Sequence, residues 1–333
     1  MATGTDLLII DTTPSPVQAG IIQYQSNFRH SSLLQSPSSS HSLSDTSLHQ
    51  EVMKDRIRRE FKGSTFLVDL SAEGAPFYAH PDSIQAVLGR LSNHYGLTDA
   101  TLLSDEDSSV DSPRFPPGGF QGTSYRPLVH VLTAIVNATN DCLPPSPRYL
   151  RDLHFDHHGR EMEEAYTTNS HQPLRPEVLG LLRSPTSQLQ KVSWNDVAII
   201  IEANDHIPEL IVQLSTYARS YLTVDRRRSF APAIGFNHKT LEIFFFAFHR
   251  SALSSSGPIS LRTPEGFESL VKYMVGILSI RDEEGFGLDM TRIGNVFRIN
   301  ERDYDIARPI WVRKSVCGRA TAVYSLKCTR LPI

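Results

Sequence analysis

Two runs of apolar residues stand out because they carry apolar side chains at consecutive positions instead of alternating ones. Val197 to Ile201 is a run of five apolar residues that includes three isoleucines. A run of this kind is typical of a central strand that is covered on both faces. Ile243 to Phe248 contains no polar residue and predicts a second interior strand. Asn237 to Lys239 precede it and predict a hairpin turn after a strand at 230–236.

Apolar residues at helical spacing predict the elements around these strands. Pro81, Pro208 and Pro264 each stand in the first turn of such a segment, where the missing N–H of proline costs nothing. Helices are therefore predicted at 48–61, 81–96, 128–136, 207–222 and 264–278, and further strands at 65–70, 149–155 and 177–182. The pattern predicts an α/β fold, with a mixed sheet and flanking helices.

Composition divides the chain into three parts. Residues 1–46 are rich in serine and too polar to bury enough apolar surface, so they are predicted to be a disordered tail. Residues 47–300 are predicted to form the α/β domain, interrupted by an acidic loop rich in proline and glycine at 104–124. Residues 301–333 are predicted to start a second domain.

Charge and cysteine content narrow the function classes. The formal net charge of −3 gives no field that favours nucleic acid or an anionic membrane, so neither partner is expected. Three cysteines without a CxxC pair argue against a disulfide framework and predict an intracellular protein, cytoplasmic or nuclear. No apolar run approaches the length of a membrane span.

Two carboxylates are expected at the ends of neighbouring strands. Glu177 follows Pro176 at the start of one predicted strand, and Glu202 ends the Val197 to Ile201 strand, two positions before Asn204. Paired carboxylates can share one hard divalent cation such as Mg²⁺, which prefers oxygen ligands and retains water for hydrolysis. The structural alternative for Glu202 is a carboxylate that caps the next helix or pairs with an arginine.

This arrangement resembles the restriction-endonuclease-like nucleases, in which Pro-Asp on one strand and Glu-x-Lys on the next precede a helix. The resemblance implies a restriction-endonuclease-like core. The chain departs from the motif at Glu177, which is longer than aspartate, and at Asn204, which carries no positive charge. Lys191 and Lys239 are possible substitutes that the sequence does not place. A vestigial metal site at Glu177, Glu202 and Asn204 is therefore expected, with no catalytic or metal-binding residue.

Two other clusters have competing interpretations. Arg226 to Arg228 would suit a phosphate, but three cations on a solvated face just after a helix C-terminus are the favoured interpretation. His154, Asp156, His157 and His158 lack the spacing that zinc requires, so no metal is expected there.

The last segment carries a weak nucleotide-loop pattern. Gly318 and Arg319 lie between two apolar runs at 310–312 and 321–324, as in a hairpin that covers a nucleotide, and Val323 fits the valine of a kinase phosphate loop. A kinase loop uses several glycines, whereas only one is present here.

The order of these motifs resembles the N-terminal half of the fungal-type protein kinase family. The motifs are KDRIRREFKG, the strand that starts at Pro176-Glu177, WNDVAIIIEAN, the helix with QLSTYARSYL, RRRSFAPAIGF, GFGLD and GRATAVY, and together they cover residues 47–330. The resemblance implies that Gly318, Arg319 and Thr321 open an incomplete N-lobe hairpin of a kinase domain. The paired lysine, the catalytic-loop aspartate and the Asp-Phe-Gly motif are missing from the sequence.

We therefore expect a truncated, catalytically inactive kinase fragment without a cofactor, whose α/β domain serves regulation or binds an unknown protein partner. The alternative is a Mg²⁺-dependent nuclease-like or nucleic-acid-binding module that uses Glu177 and Glu202.

Overall fold

A computed structural model of the 333-residue chain gives the fold. It describes residues 54–55, 57–59, 61, 64–98, 121–144, 147–157, 162, 174–182, 192–225, 227–250, 252–293, 296–299, 302–312 and 322–328. Only the backbone is described at 121–124, 293, 307–312, 322–325 and 328. The Ser-rich tail predicted at 1–46 lies outside these residues, as does the acidic loop up to residue 120.

An eight-stranded mixed sheet forms the centre of the fold, in the order β1-β7-β6-β5-β4-β3-β2, with β8 paired to β6. Strands β2, β3 and β4 are antiparallel, β5 is parallel to β4, and β6 and β7 continue antiparallel. The strands span Thr65–Leu67 (β1), His154–Asp156 (β2), Val178–Leu181 (β3), Val197–Ala203 (β4), Phe230–Asn237 (β5), Glu242–His249 (β6), Leu253–Ser255 (β7) and Ile259–Ser260 (β8).

The two predicted interior strands are β4 and β6. All seven residues of β4 are buried, as are the six from Ile243 to Phe248 in β6. Helices on both sides of the sheet explain why neither strand alternates apolar with polar residues. The predicted hairpin turn is also confirmed, because β5 and β6 pair antiparallel and end at the register Asn237 to Glu242.

Among the described residues, four long helices and the helical residues around Ile57 cover the two faces of this sheet. Helices α1 (Pro81–Tyr95), α2 (Gln121–Cys142) and α4 (Pro264–Leu278) pack together against one face, whereas α3 (Ile207–Val224) packs against β4 and β5 on the other. Ile57 and Phe61, both helical, are buried on the α3 side. The mixed α/β fold with flanking helices is thereby confirmed.

The capping positions follow from the sequence. Thr263 caps α4 through its hydroxyl, which accepts from the N–H of Gly266 at 3.1 Å. His80 accepts from the N–H of Asp82 at the start of α1, and Gly96 ends that helix with a left-handed φ of 59°. Both boundaries lie at the positions that the proline and glycine pattern predicted.

A second sheet follows α4, in the order β12-β11-β10-β9. Its strands are Arg292–Ile293 (β9), Val296–Ile299 (β10), Arg302–Val312 (β11) and Ala322–Cys328 (β12), and neighbours are antiparallel. Residues 310–312 of the predicted hairpin lie in β11 and residues 322–324 lie in β12, whereas Thr321 is outside the described residues. Two of the four strands precede residue 301, where the second domain is predicted to begin.

The structure corrects two local predictions. The strand predicted at 149–155 begins only at His154, because residues 149–152 form turns. The loop predicted at 104–124 includes the start of α2 at Gln121. In the part of the chain that the structure describes, no helix combines the length and apolarity that crossing a bilayer demands.

Candidate functional site at the ends of strands β3 and β4

Glu177 and Glu202 meet where β3 starts and β4 ends. Val178 of β3 pairs with Ile201 of β4 in an antiparallel register, so the residue before Val178 faces the residue after Ile201. Glu202 is 1% exposed, whereas Glu177 is half-buried. The sequence correctly predicted that the two carboxylates lie at the ends of adjacent strands.

Burial has the largest effect on the pKa of the Glu202 carboxyl. Desolvation, followed by the nearby charge of Glu177, raises the pKa of the Glu202 carboxyl to about 8. The N–H groups of Ala203 and Glu177 and the Tyr217 hydroxyl lower this pKa only in part. At neutral pH the folded protein therefore holds Glu202 mainly as the neutral acid.

The hydrogen bonds of Glu202 leave one of its oxygens unused. Oε1 accepts from the N–H of Ala203 at 3.3 Å. Oε2 is buried, and no hydrogen bond of ordinary geometry reaches it within the described part of the chain. The Tyr217 hydroxyl and the Glu177 N–H therefore influence the carboxyl without a well-formed bond to this oxygen. The helix-capping or arginine-pairing role considered for Glu202 is not what the structure shows, because Oε1 bonds the neighbouring N–H within its own strand.

The side chain of Asn204, which stands in the position of the nuclease lysine, forms hydrogen bonds at the start of helix α3. Its Oδ1 accepts from the N–H of His206 at 2.9 Å, and its Nδ2 donates to Gln213 Oε1 at 3.1 Å. His206 is the N-cap residue of α3 but makes no side-chain cap itself. Asn204 therefore supports the start of the helix that follows the strand.

Lys239, one of the two lysines considered as substitutes, pairs with a different carboxylate. Its Nζ donates to Asp205 Oδ2, and its side chain is 66% exposed. The same ion pair is the main cause that lowers the pKa of Asp205. Lys191, the other substitute, lies outside the described residues.

Tyr217 is the member of the cluster that sequence reasoning missed. Burial and then the charge of Glu202 raise its pKa, and its ring lies 6.4 Å from that of Trp194. Leu210, Leu214 and Tyr221 fall on the same helical stripe as Tyr217, all facing the sheet. This stripe is the feature of the sequence from which the role of Tyr217 could have been predicted, because a tyrosine on it places its hydroxyl against the ends of the strands.

The cluster is poorly suited to metal-dependent hydrolysis. A hard cation requires deprotonated oxygen ligands, and binding at neutral pH would first have to remove the proton from Glu202. Within the described ranges, no group of three or more His, Cys, Asp or Glu side chains is arranged to hold a metal ion. What the site offers is a neutral carboxylic acid beside a second carboxylate and a buried phenol.

The prediction that the arginines at 226–228 form a solvated face is wrong for Arg228. Arg228 is 5% exposed, and its Nη1 donates to the carbonyls of Trp194 at 3.0 Å and Tyr221 at 3.1 Å. Its guanidinium also lies 3.7 Å from the ring centroid of Tyr221. Burial is tolerated because the carbonyl of Tyr221, at the negative end of α3, and the carbonyl of Trp194 accept its protons. Arg227 pairs with Asp225 at 2.8 Å, and Arg226 is outside the described residues.

The remaining predicted residues are only partly described. His154 and Asp156 lie in β2, whereas His158 is outside the described residues. Of the nucleotide-loop residues, Gly318, Arg319 and Thr321 also lie outside them. Val323 is in β12, where its backbone pairs with that of Trp311 in β11.

Comparison with protein families shows a similarity to a kinase family. The family described as fungal protein kinase matches residues 179–331, a little under half of the chain. Comparisons with curated proteins and with solved structures found no match. The matched region includes Glu202, Asn204 and the nucleotide-loop residues, and it begins just after Glu177. Residues 179–331 of this chain are thus similar to the fungal protein kinase family, the family that the order of the sequence motifs also resembles.

Proposed function

We propose that the α/β domain is a non-catalytic regulatory module of a fungal-type protein kinase. In this proposal the chain itself neither transfers phosphate nor cleaves nucleic acid. Glu177, Glu202 and Asn204 keep the positions of a nuclease site on a restriction-endonuclease-like core, but they serve the packing of the strand ends. The observation that carries the proposal is Asn204, whose amide is committed to His206 and Gln213 at the start of α3.

Electrostatics at the strand ends also support a non-catalytic role. A water-activating lysine would offset the charge of two carboxylates, but Lys239, the described lysine that was considered for this role, pairs with Asp205. The protein instead reduces the charge by holding Glu202 protonated through burial. A neutral acid stabilises the fold at this position and weakens the site for Mg²⁺.

A regulatory role requires that the α/β domain contact the part of the chain that leads into the second sheet. Residues 281–289 provide that contact. The N–H of Ser229 donates to the carbonyl of Gly287 at 2.8 Å, and the N–H of Asp289 donates to the carbonyl of Arg227 at 2.7 Å. Phe286 is 3% exposed and packs against Phe230, with ring centroids 6.1 Å apart. The segment before β9 is thus fixed to the start of β5, where a change in the α/β domain would reach it.

Calorimetric titration of the 333-residue protein with ATP and Mg²⁺ tests the absence of nucleotide binding. We expect no one-site isotherm in the micromolar range. A micromolar isotherm would contradict the proposal for residues 301–333, whatever the function of the α/β domain.

The position of Glu177 opposite Glu202 favours one alternative, a divalent-metal-dependent nuclease. It predicts cleavage of DNA or RNA with Mg²⁺ or Mn²⁺ that Glu202→Ala abolishes. Glu268→Gln is a matched control, since Glu268 is an exposed carboxylate on α4. Cleavage that survives in the control and is lost in Glu202→Ala would establish the nuclease and overturn the proposed function. We expect no cleavage by either variant or by the parent protein.

A further inference from the structure

Arg148 is a buried cation whose hydrogen bonds are incomplete. Arg148 follows α2 in the chain and is 9% exposed. Nη2 donates to Asn140 Oδ1 at 2.8 Å, but Nε and Nη1 are buried without a hydrogen-bond partner in the described part of the chain. A buried guanidinium is costly unless its N–H groups are paired, because each unpaired donor loses its hydration.

The nearest charge makes this burial less favourable. Desolvation, and then the charge of Arg151, lower the pKa of Arg148, and no carboxylate contributes to the shift. Arg151 is exposed, and no salt bridge involves it among the described residues. Two like charges therefore lie close together without a described counter-ion.

Asn140 fixes the backbone and the guanidinium together. Its Nδ2 donates to the carbonyl of Arg151 at 3.0 Å, while its Oδ1 accepts from Arg148. The N–H of Arg151 also donates to the carbonyl of Arg148 at 3.3 Å. The two arginines are thus held by the last turn of α2 and by each other's backbone.

The C-terminal end of α2 does not satisfy these cations. A helix C-terminus attracts positive charge, and its last carbonyls commonly accept hydrogen bonds from arginine. Here Arg148 donates to the side chain of Asn140, and no helix carbonyl in the described ranges takes Nε or Nη1. Attraction to the helix end therefore leaves the unpaired donors unexplained.

We propose that Arg148 and Arg151 form a binding site for a phosphoryl-type oxyanion. Arg148 and Arg151 carry two positive charges that interact with each other, which matches the charge of a phosphate near neutral pH, and the several oxygens of a phosphate can accept from more than one N–H group. Nε and Nη1 of Arg148 are buried, so an anion must displace the atoms that cover them in order to supply the acceptors that Arg148 lacks. This site is separate from Glu202 and does not depend on the function proposed above.

The test is a titration of the full chain with inorganic phosphate at constant ionic strength, balanced with chloride. The readouts are the Nε resonances of arginine in nitrogen-15 NMR spectra and the midpoint of thermal unfolding. We expect one arginine Nε resonance to shift saturably and the midpoint to rise. Arg148→Lys should weaken binding at least tenfold, Arg148→Met should abolish it, and Arg151→Gln should weaken it severalfold.

Arg90→Gln is the matched control, because the guanidinium of Arg90 already bonds Asp141 Oδ2 at 2.8 Å. Its phosphate affinity should equal that of the parent protein. If Arg148→Met does not fold, the parent resonance and Arg148→Lys carry the test. An equal response to chloride, or unchanged binding in Arg148→Lys, would overturn the site.

Two further ligands define the chemical class. Acetate should bind at least tenfold more weakly than phosphate, and equal binding would overturn the phosphoryl assignment. O-phosphoserine that binds more tightly than inorganic phosphate would support a phosphorylated side chain as the source. Equal affinity would support free phosphate.

Discussion

Glu202 is buried opposite Glu177, and the charge of Glu177 is the second largest cause, after burial, of the raised pKa of Glu202. Two carboxylates at the end of a strand pair usually suggest a metal site. Here the partner that reaches Glu202 from the next helix is a phenol, Tyr217, which cannot offset negative charge at neutral pH. The proton on Glu202 therefore takes the place of a cation, which gives a direct test through pH.

The free energy of unfolding should fall as pH rises from about 4.5 to about 8. A glutamate in the unfolded chain has an ordinary pKa of 4.5, whereas the pKa of Glu202 in the folded protein is about 8. Between these values the folded protein holds a proton that the unfolded chain has lost. The stabilisation is fully present below the lower pKa and is lost as pH passes the upper one. Glu202→Gln cannot titrate, so its stability relative to the parent should rise by a few kcal/mol, roughly, across the window.

Chemical denaturation at pH 5, 6.5 and 8 measures this difference. Glu177→Gln is the companion variant, because it removes the neighbouring charge and keeps Glu202 titratable. The free energy of unfolding of Glu177→Gln should begin to fall at a similar pH as in the parent protein. It should level off at a lower pH, because the pKa of Glu202 is lower without the charge of Glu177. Parallel curves for the parent and Glu202→Gln would mean that Glu202 is not held protonated.

The chemistry of Glu202 was only half predictable from sequence. The pair with Glu177 followed from strand order, because an apolar run covered on both faces had to be central. The protonation state did not, because it depends on the packing of Tyr217 and on how completely α3 covers the strand end. Sequence shows which residue types are near each other along the chain, whereas desolvation depends on every element that packs above them.

Asn204→Ala should destabilise the protein by about 1 kcal/mol. The substitution removes the acceptor for the N–H of His206 and the donor to Gln213. Gln213→Ala removes only the second of these bonds and is the control, with an expected loss of about half as much. Urea denaturation at constant pH compares the two variants, and an equal loss in both would show that the His206 bond contributes nothing.

Arg228→Met should destabilise by roughly 1–3 kcal/mol, because the carbonyls of Trp194 and Tyr221 lose their donor inside the protein. Arg227→Gln is the matched neighbour. Its side chain is 26% exposed and pairs with Asp225, so the expected loss is about 0–1 kcal/mol. The midpoint of urea unfolding for each variant checks this order, and a larger loss in Arg227→Gln would contradict the buried role of Arg228.

Arg228 shows why the exposure of the arginine cluster was wrongly predicted from the sequence. Three adjacent arginines in a sequence predict a solvent-exposed segment. Arg228 is buried because the chain turns toward the protein interior after the end of α3. Likewise, β1 pairs in parallel with β7, through Thr65 and Leu253, far apart in the chain. Neither strand has a pattern that names its partner, so the order of the sheet edges could not be derived from periodicity.

Gly276 in α4 should not tolerate a methyl group. A Cβ at this position would lie 1.8 Å from the carbonyl oxygen of Phe77, which is backbone and cannot rotate away. Gly276→Ala should therefore separate α4 from the segment before α1 and destabilise the protein by about 1–3 kcal/mol through overpacking.

Gly89→Ala in α1 is the matched control, because a Cβ there meets nothing within 4 Å. The control should gain about 0.5–1 kcal/mol from better helix propensity. Thermal and urea unfolding of both variants measure the contrast. If Gly276→Ala is as stable as Gly89→Ala, then α4 does not approach Phe77 as closely as the fold requires.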